Sequence, residues 1–157
     1  MFLMNLISTL HLKQNNMELR DLRYSDNVLR NGKVITITGI LDRYDSNIIT
    51  FYDSEREDYY SCYITDLKPI PISDALLLKL GFEKHDCSDL GLDIEYELAT
   101  KKGFISVSNV SNSKGKDYSV QIDNLAHTSV GGMDIACLHE LQHIVWDCLK
   151  VEVKIEL

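Results

Sequence analysis

The residues best suited to chemistry sit in one short run, His139-Glu140-Leu141-Gln142-His143, inside the stretch "ACLHELQHIVWDCL". On a helix, His139 and His143 lie four residues and about 40° apart, so both imidazoles can reach one ion. Glu140 between them would be the base that activates a zinc-bound water, which is the chemistry of a zinc-dependent hydrolase. Such a centre needs a third protein ligand and an open fourth position. The extended zinc-peptidase pattern asks for Gly at 146 and His at 149, where Trp146 and Leu149 stand. Asp147 continues the same helical row, but ligands at i, i+4 and i+8 would span about 12 Å, too far for one tetrahedral ion. Among the fourteen residues after His143, Glu152 and Glu156 fall in a predicted strand rather than a second helix. The favoured reading assigns no catalytic residue, no cofactor and no metal. The alternative keeps Glu140 as base, with His139 and His143 as zinc ligands.

Other candidates read more simply as structure. Upstream, His85, Cys87, His127, Glu95 and Glu97 stay open as third ligands, though none sits in a recognised pattern. His85, Asp86 and Cys87 in "EKHDCSD" match no zinc template of their own, even with His127, and are expected in a polar loop. Cys137 and Cys148 lie at the edge of and within the apolar arc of the helix, as expected for buried, unreactive thiols. Gly131-Gly132 ahead of the helix could cradle an anion, although a flexible approach to the helix explains the pair equally well. Tyr52, Tyr59, Tyr60 and Tyr63 cluster in one region, and strand alternation forces some of them outward. Tyr52, Tyr59 and Tyr63 are therefore the candidate interaction surface.

The elements that must position these residues can be read from period and punctuation. From residue 17 to 72, "NVLR", Asn31-Gly32 and "KVITITGIL" form a hairpin, because Asn-Gly adopts the positive φ angles of a type I′ turn. "IITFY" and "YYSCYIT" are further strands, with Tyr60, Cys62 and Ile64 on one face and Tyr59, Ser61 and Tyr63 on the other. Four short strands suggest a small SH3-like β-barrel or a curled meander, which "KPIPIS" ends. Residues 73–157 form an α+β lobe. Ser73 caps a short helix that Gly81 stops, and "LDIEYELAT", "GFISVSNV" and "DYSVQID" alternate as antiparallel strands. A loop through "NLAHTSVGG" leads to one long helix over about 133–150, and "VEVKIEL" is a final strand. On the helical wheel, Leu138, Leu141, Val145, Cys148 and Leu149 make the apolar arc. His139, Glu140, His143, Asp147 and Lys150 make the opposite, wet one. The fold class is α+β, with residues 1–16 an N-terminal extension.

The composition narrows the function. Sixteen basic against twenty-four acidic residues give a net charge of −8, which disfavours broad nucleic-acid binding. No run approaches the roughly eighteen apolar residues of a membrane span. Four dispersed cysteines suit a reduced, cytoplasmic protein.

The blocks "ELRDLRYSDNVLRNGKVITITGI", "DLKPIPISDALLLKLGFEK" and "LHELQHIVWDCLKVEVKIEL" resemble a family of small proteins encoded in gut Bacteroides-type bacteria, their mobile elements and their phages. The resemblance covers most of the chain from about Met17, near which members typically begin. In that family the last helix commonly reads HELQN, so the position of His143 is usually not a ligand, and this chain departs from the pattern there. The resemblance implies a context and no mechanism. The expectation is a non-enzymatic interaction protein of phage or mobile-element context, acting as an adaptor or directed at a host or defence protein. Its acidic surface would favour a basic patch on a protein partner. A zinc-dependent hydrolase and a virion structural component that forms homo-oligomers are the alternatives.

Overall fold

The computed structural model describes residues 17–43, 46–86, 94–109, 118–126 and 128–155. The expected N-terminal extension, Cys87, His127 and Glu156 lie outside them. The described residues form an α+β fold of two five-stranded antiparallel sheets and one long C-terminal helix.

The first sheet has the order β4-β3-β2-β1-β5, built from β1 Asn27–Arg30, β2 Lys33–Arg43, β3 Ser46–Asp53, β4 Asp58–Tyr63 and β5 Leu67–Lys68. Asn31 (φ +50°) and Gly32 (φ +79°) make the two-residue turn between β1 and β2, and place Arg30 opposite Lys33. Both residues need positive φ, which Asn tolerates and Gly adopts freely. The register of β2 against β3 shifts between Ile37 and Gly39, which bends the sheet. It does not close: β4 and β5 are edges, so the meander is realised and the barrel is not.

A short helix, α1 (Asp74–Lys79), follows, with the Ser73 hydroxyl accepting a bond from the Leu76 amide at 3.2 Å. A Ser73→Ala exchange should cost about 1 kcal/mol, read as a lower urea midpoint at unchanged slope. The second sheet is a plain meander, β10-β9-β8-β7-β6, from β6 Glu83–His85, β7 Glu95–Thr100, β8 Gly103–Asn109, β9 Tyr118–Asn124 and β10 Ser129–Ile135. The helix α2 (Leu138–Leu149) closes it.

Four expectations change here. Residues 83–85 of the expected polar loop are an edge strand. The helix begins at Leu138 rather than near Met133, because 129–135 pair with β9 as a strand. Gly131-Gly132 therefore sits in a bulge of β10, where Gly132 takes φ +77°, and not at a helix N-terminus that could hold an anion. The expected final strand is also not formed among the described residues. Residues 151–155 make no sheet pairing, although Val153 and Ile155 are buried as their alternation demands.

Two apolar clusters hold the fold. Val28, Ile37, Ile49 and Phe51 lead the first, inside the first sheet. The second lies between α2 and the second sheet, with Leu138, Leu141, Val145 and Leu149 packed on residues such as Ile105, Val107 and Val120. Each of these helix side chains contributes on the order of 1.5–3 kcal/mol by leaving water. Leu29 and Val34 of the first hairpin also pack against this second cluster. The connector pairs with the start of α2: Ile72 N–H bonds Ala136 O at 3.0 Å, and Leu138 N–H bonds Ile70 O at 2.8 Å. Among the described residues no helix is long and apolar enough to cross a membrane.

Candidate functional site

The helix that carries HELQH is fixed at both of its lateral faces. Its apolar face lies on the second sheet, and part of its polar side lies against residues 23–27 of the first lobe, while Asp147 and Lys150 stay exposed. Gln142 makes the central contact. Its Oε1 accepts from the Asn27 amide at 3.0 Å, and its Nε2 donates to Asn27 Oδ1 at 2.9 Å and to Val153 O at 2.7 Å. At the outer edge, Arg23 Nη1 reaches both carboxylate oxygens of Asp147 at 3.0 Å. The wheel's wet arc thus covers a polar interface between the lobes. Amphipathic spacing separates polar from apolar faces but cannot tell water from a polar neighbour.

The polar residues of the motif are engaged in different ways. Glu140 Oε2 accepts the amides of Ala136 at 2.7 Å and Cys137 at 3.3 Å, which holds the chain as it enters the helix. His143 Nε2 lies 2.8 and 2.9 Å from the two oxygens of Asp26, whose other partner is the Arg23 amide at 2.7 Å. A carboxylate only accepts, so Nε2 carries the proton. Asp26 is 2% exposed, and sequence patterns gave no reason to single it out. His139, expected to be wet, is 5% exposed. Its ring lies 3.4 Å (Nδ1) and 3.5 Å (Nε2) from Cys137 Sγ, and 5.9 Å between centroids from the ring of His143. Burial pushes the His139 imidazole below the ordinary histidine range, and the carboxylate of Asp26 only partly opposes this. Among the described residues no group of three or more His, Cys, Asp or Glu side chains is placed to hold a metal ion. His85, far from this helix in sequence, faces Glu97 across β6 and β7 at 3.4 Å. Cys137 is buried and Cys148 half-buried.

Beside the Asp26–His143 pair opens a cavity of about 560 Å³, walled by Leu22, Tyr24 and Ile40 on one side and by His143, Trp146 and Val153 on the other. It is large enough for a small molecule. Its lining includes an imidazole oriented by a buried carboxylate, the Glu152–Lys154 ion pair and Arg23.

The tyrosines occupy a second place, on the outer face of the first sheet. Tyr52 stands directly opposite Tyr59, and Ile48 opposite both Tyr63 and Leu41, in two rows of the same face with the Gly39–Thr50–Ser61 row between them. Tyr59 is 68% exposed, Tyr63 57% and Tyr52 43%, and Leu41 is exposed as well. The rings of Tyr52 and Tyr59 meet edge to face at 5.2 Å. Phe51 and Cys62 point inward, with Tyr60 and Ile64 half-buried beside them, so the alternation read from the sequence holds residue by residue. The chain is thus an α+β protein of two antiparallel sheets, with a polar-laced helix at the junction and an aromatic face on one sheet. No family model, curated protein or solved structure matches it.

Proposed function

We propose that the chain is a non-enzymatic protein-interaction protein that binds its partner through the aromatic outer face of its first sheet. One observation carries this reading: Tyr52, Tyr59, Tyr63 and Leu41 are exposed together on one sheet face. Tyrosine supplies large contact area at little entropic cost, and several exposed aromatic and apolar side chains on one sheet face suit an interaction surface. The engagement of Glu140 with backbone amides and of His143 with Asp26 supports a structural role for HELQH. The resemblance to proteins of Bacteroides-type bacteria and their phages sets the context as a phage or mobile element, acting in the cytoplasm on a host or defence protein.

The test compares wild type with a Tyr52→Ser/Tyr59→Ser/Tyr63→Ser variant as bait in lysate of a Bacteroides-type cell. A specific partner recovered by wild type should fall at least tenfold with the variant, while thermal unfolding shows the variant still folded. Equal recovery of that partner by both baits would place its binding elsewhere and end this reading.

A further inference from the structure

Resting on the interaction reading, we infer that the partner presents a basic, arginine-bearing segment to this tyrosine face. The rim of the face is acidic on both sides. The β3–β4 hairpin supplies Asp53, Glu55, Glu57 and Asp58 beside Tyr52 and Tyr59, and Asp66 lies beside Tyr63, with its Oδ2 3.3 Å from the Tyr63 amide. Over residues 53–66, five carboxylates face a single arginine.

Two details choose the occupant. Asp53 and Asp58 stand directly opposite each other across the strands, next to the Tyr52–Tyr59 pair. Like charges in that position repel, and although Arg56 acts on Asp53 the pair adds to the acidic field at this end of the sheet. The cations of the hairpin region are otherwise engaged: Lys33 Nζ bonds Glu55 at 2.6 Å, and the Arg56 guanidinium lies over the Tyr60 ring at 5.6 Å. No ion pair among the described residues reaches Asp53 or Asp58.

The sheet also shows which cation suits it. Arg56 on Tyr60 and Arg30 over Phe51, at 5.2 Å, are both guanidinium–ring contacts within this one sheet. A partner arginine laid on Tyr59 or Tyr52 would make the same contact with its plane, within the field of the acidic rim. A second copy of this chain would bring an identical acidic rim, and nucleic acid would bring phosphates. Both are disfavoured by the same charges.

The experiment uses the full chain, labelled with ¹⁵N, and two synthetic peptides of equal length in which valine alternates with arginine in one and with glutamate in the other. The arginine peptide should bind at least tenfold more tightly at low salt, and its amide shifts should map to residues 50–52 and 59–63. Affinity should fall at least fivefold in Asp53→Asn/Asp58→Asn, whose spectrum reports whether it is folded. Equal affinity of the two peptides, or arginine-peptide shifts away from these strands, would overturn the inference. If the glutamate peptide occupies the same tyrosines equally well, the partner's chemistry is wrong while the interaction face stands. If neither peptide perturbs these strands and the triple serine variant keeps its partner, both readings fall.

Discussion

Gln142→Leu should destabilise the protein by about 3 kcal/mol or more, although leucine matches the side chain in size and suits a helix. Gln142 is buried, and its amide group closes three hydrogen bonds to the Asn27 amide, Asn27 Oδ1 and Val153 O. Leucine would strand those three partners, and each stranded group costs on the order of 1–3 kcal/mol. The gain from added apolar contact is smaller than that sum. Urea unfolding followed by tryptophan fluorescence is a direct measurement, since Trp146 is the only tryptophan and lies one turn along the same helix. Gln142→Glu separates shape from bonding: it keeps Oε1 as an acceptor but loses the two donated bonds, so it too should destabilise. A leucine variant as stable as wild type would mean that the lobes are joined by their apolar contacts alone.

This residue also marks where the sequence stopped being readable. Four residues after Leu138, Gln142 falls about 40° from it on the wheel, at the border of the apolar arc, and a polar side chain there is the one available sign of a buried partner. Nothing local names Asn27 as that partner, because the two are brought together only by packing of the lobes. What depends on neighbouring residues was readable. Asn31-Gly32 set a turn and a register, Ser73 capped its helix, and alternation placed Tyr59 and Tyr63 outside with Cys62 inside.

The misses share a physical cause. β6 is three exposed polar residues, and β10 is exposed along most of its length and interrupted by two glycines. Neither edge strand has a buried face to announce it. The tail fails in the opposite way. Val153 and Ile155 do alternate into the core, but Val153 O takes its bond from the Gln142 side chain, so the extended chain is held without a sheet neighbour.

Lowering the pH from 7 towards 5 should weaken the native state, and His139 should account for a measurable part of the loss. Its folded pKa is held below the ordinary histidine value near 6.5, first by burial. The unfolded chain therefore binds a proton at His139 that the folded chain refuses. Stability is intact above the unfolded value and falls as the pH drops from there to the folded value, with a slope for this one group of at most about 1.4 kcal/mol per pH unit. The groups facing the ring act in both directions. The carboxylates of Asp26, Glu140 and Asp21 favour the charged form, His143 disfavours it, and the Cys137 thiol sits against the ring. Asp26 cannot neutralise His139 freely, because both of its oxygens already hold His143.

The measurement is the difference in unfolding free energy between wild type and His139→Leu at a series of pH values. Subtracting the two curves removes every carboxylate that titrates alike in both proteins. The variant should lose less stability than wild type between pH 6.5 and 5, and the curves should run parallel above pH 7.5. Parallel curves over the whole range would mean that protonated His139 is accommodated where it lies. The lobe junction would then have a route for water to the ring from the cavity beside His143.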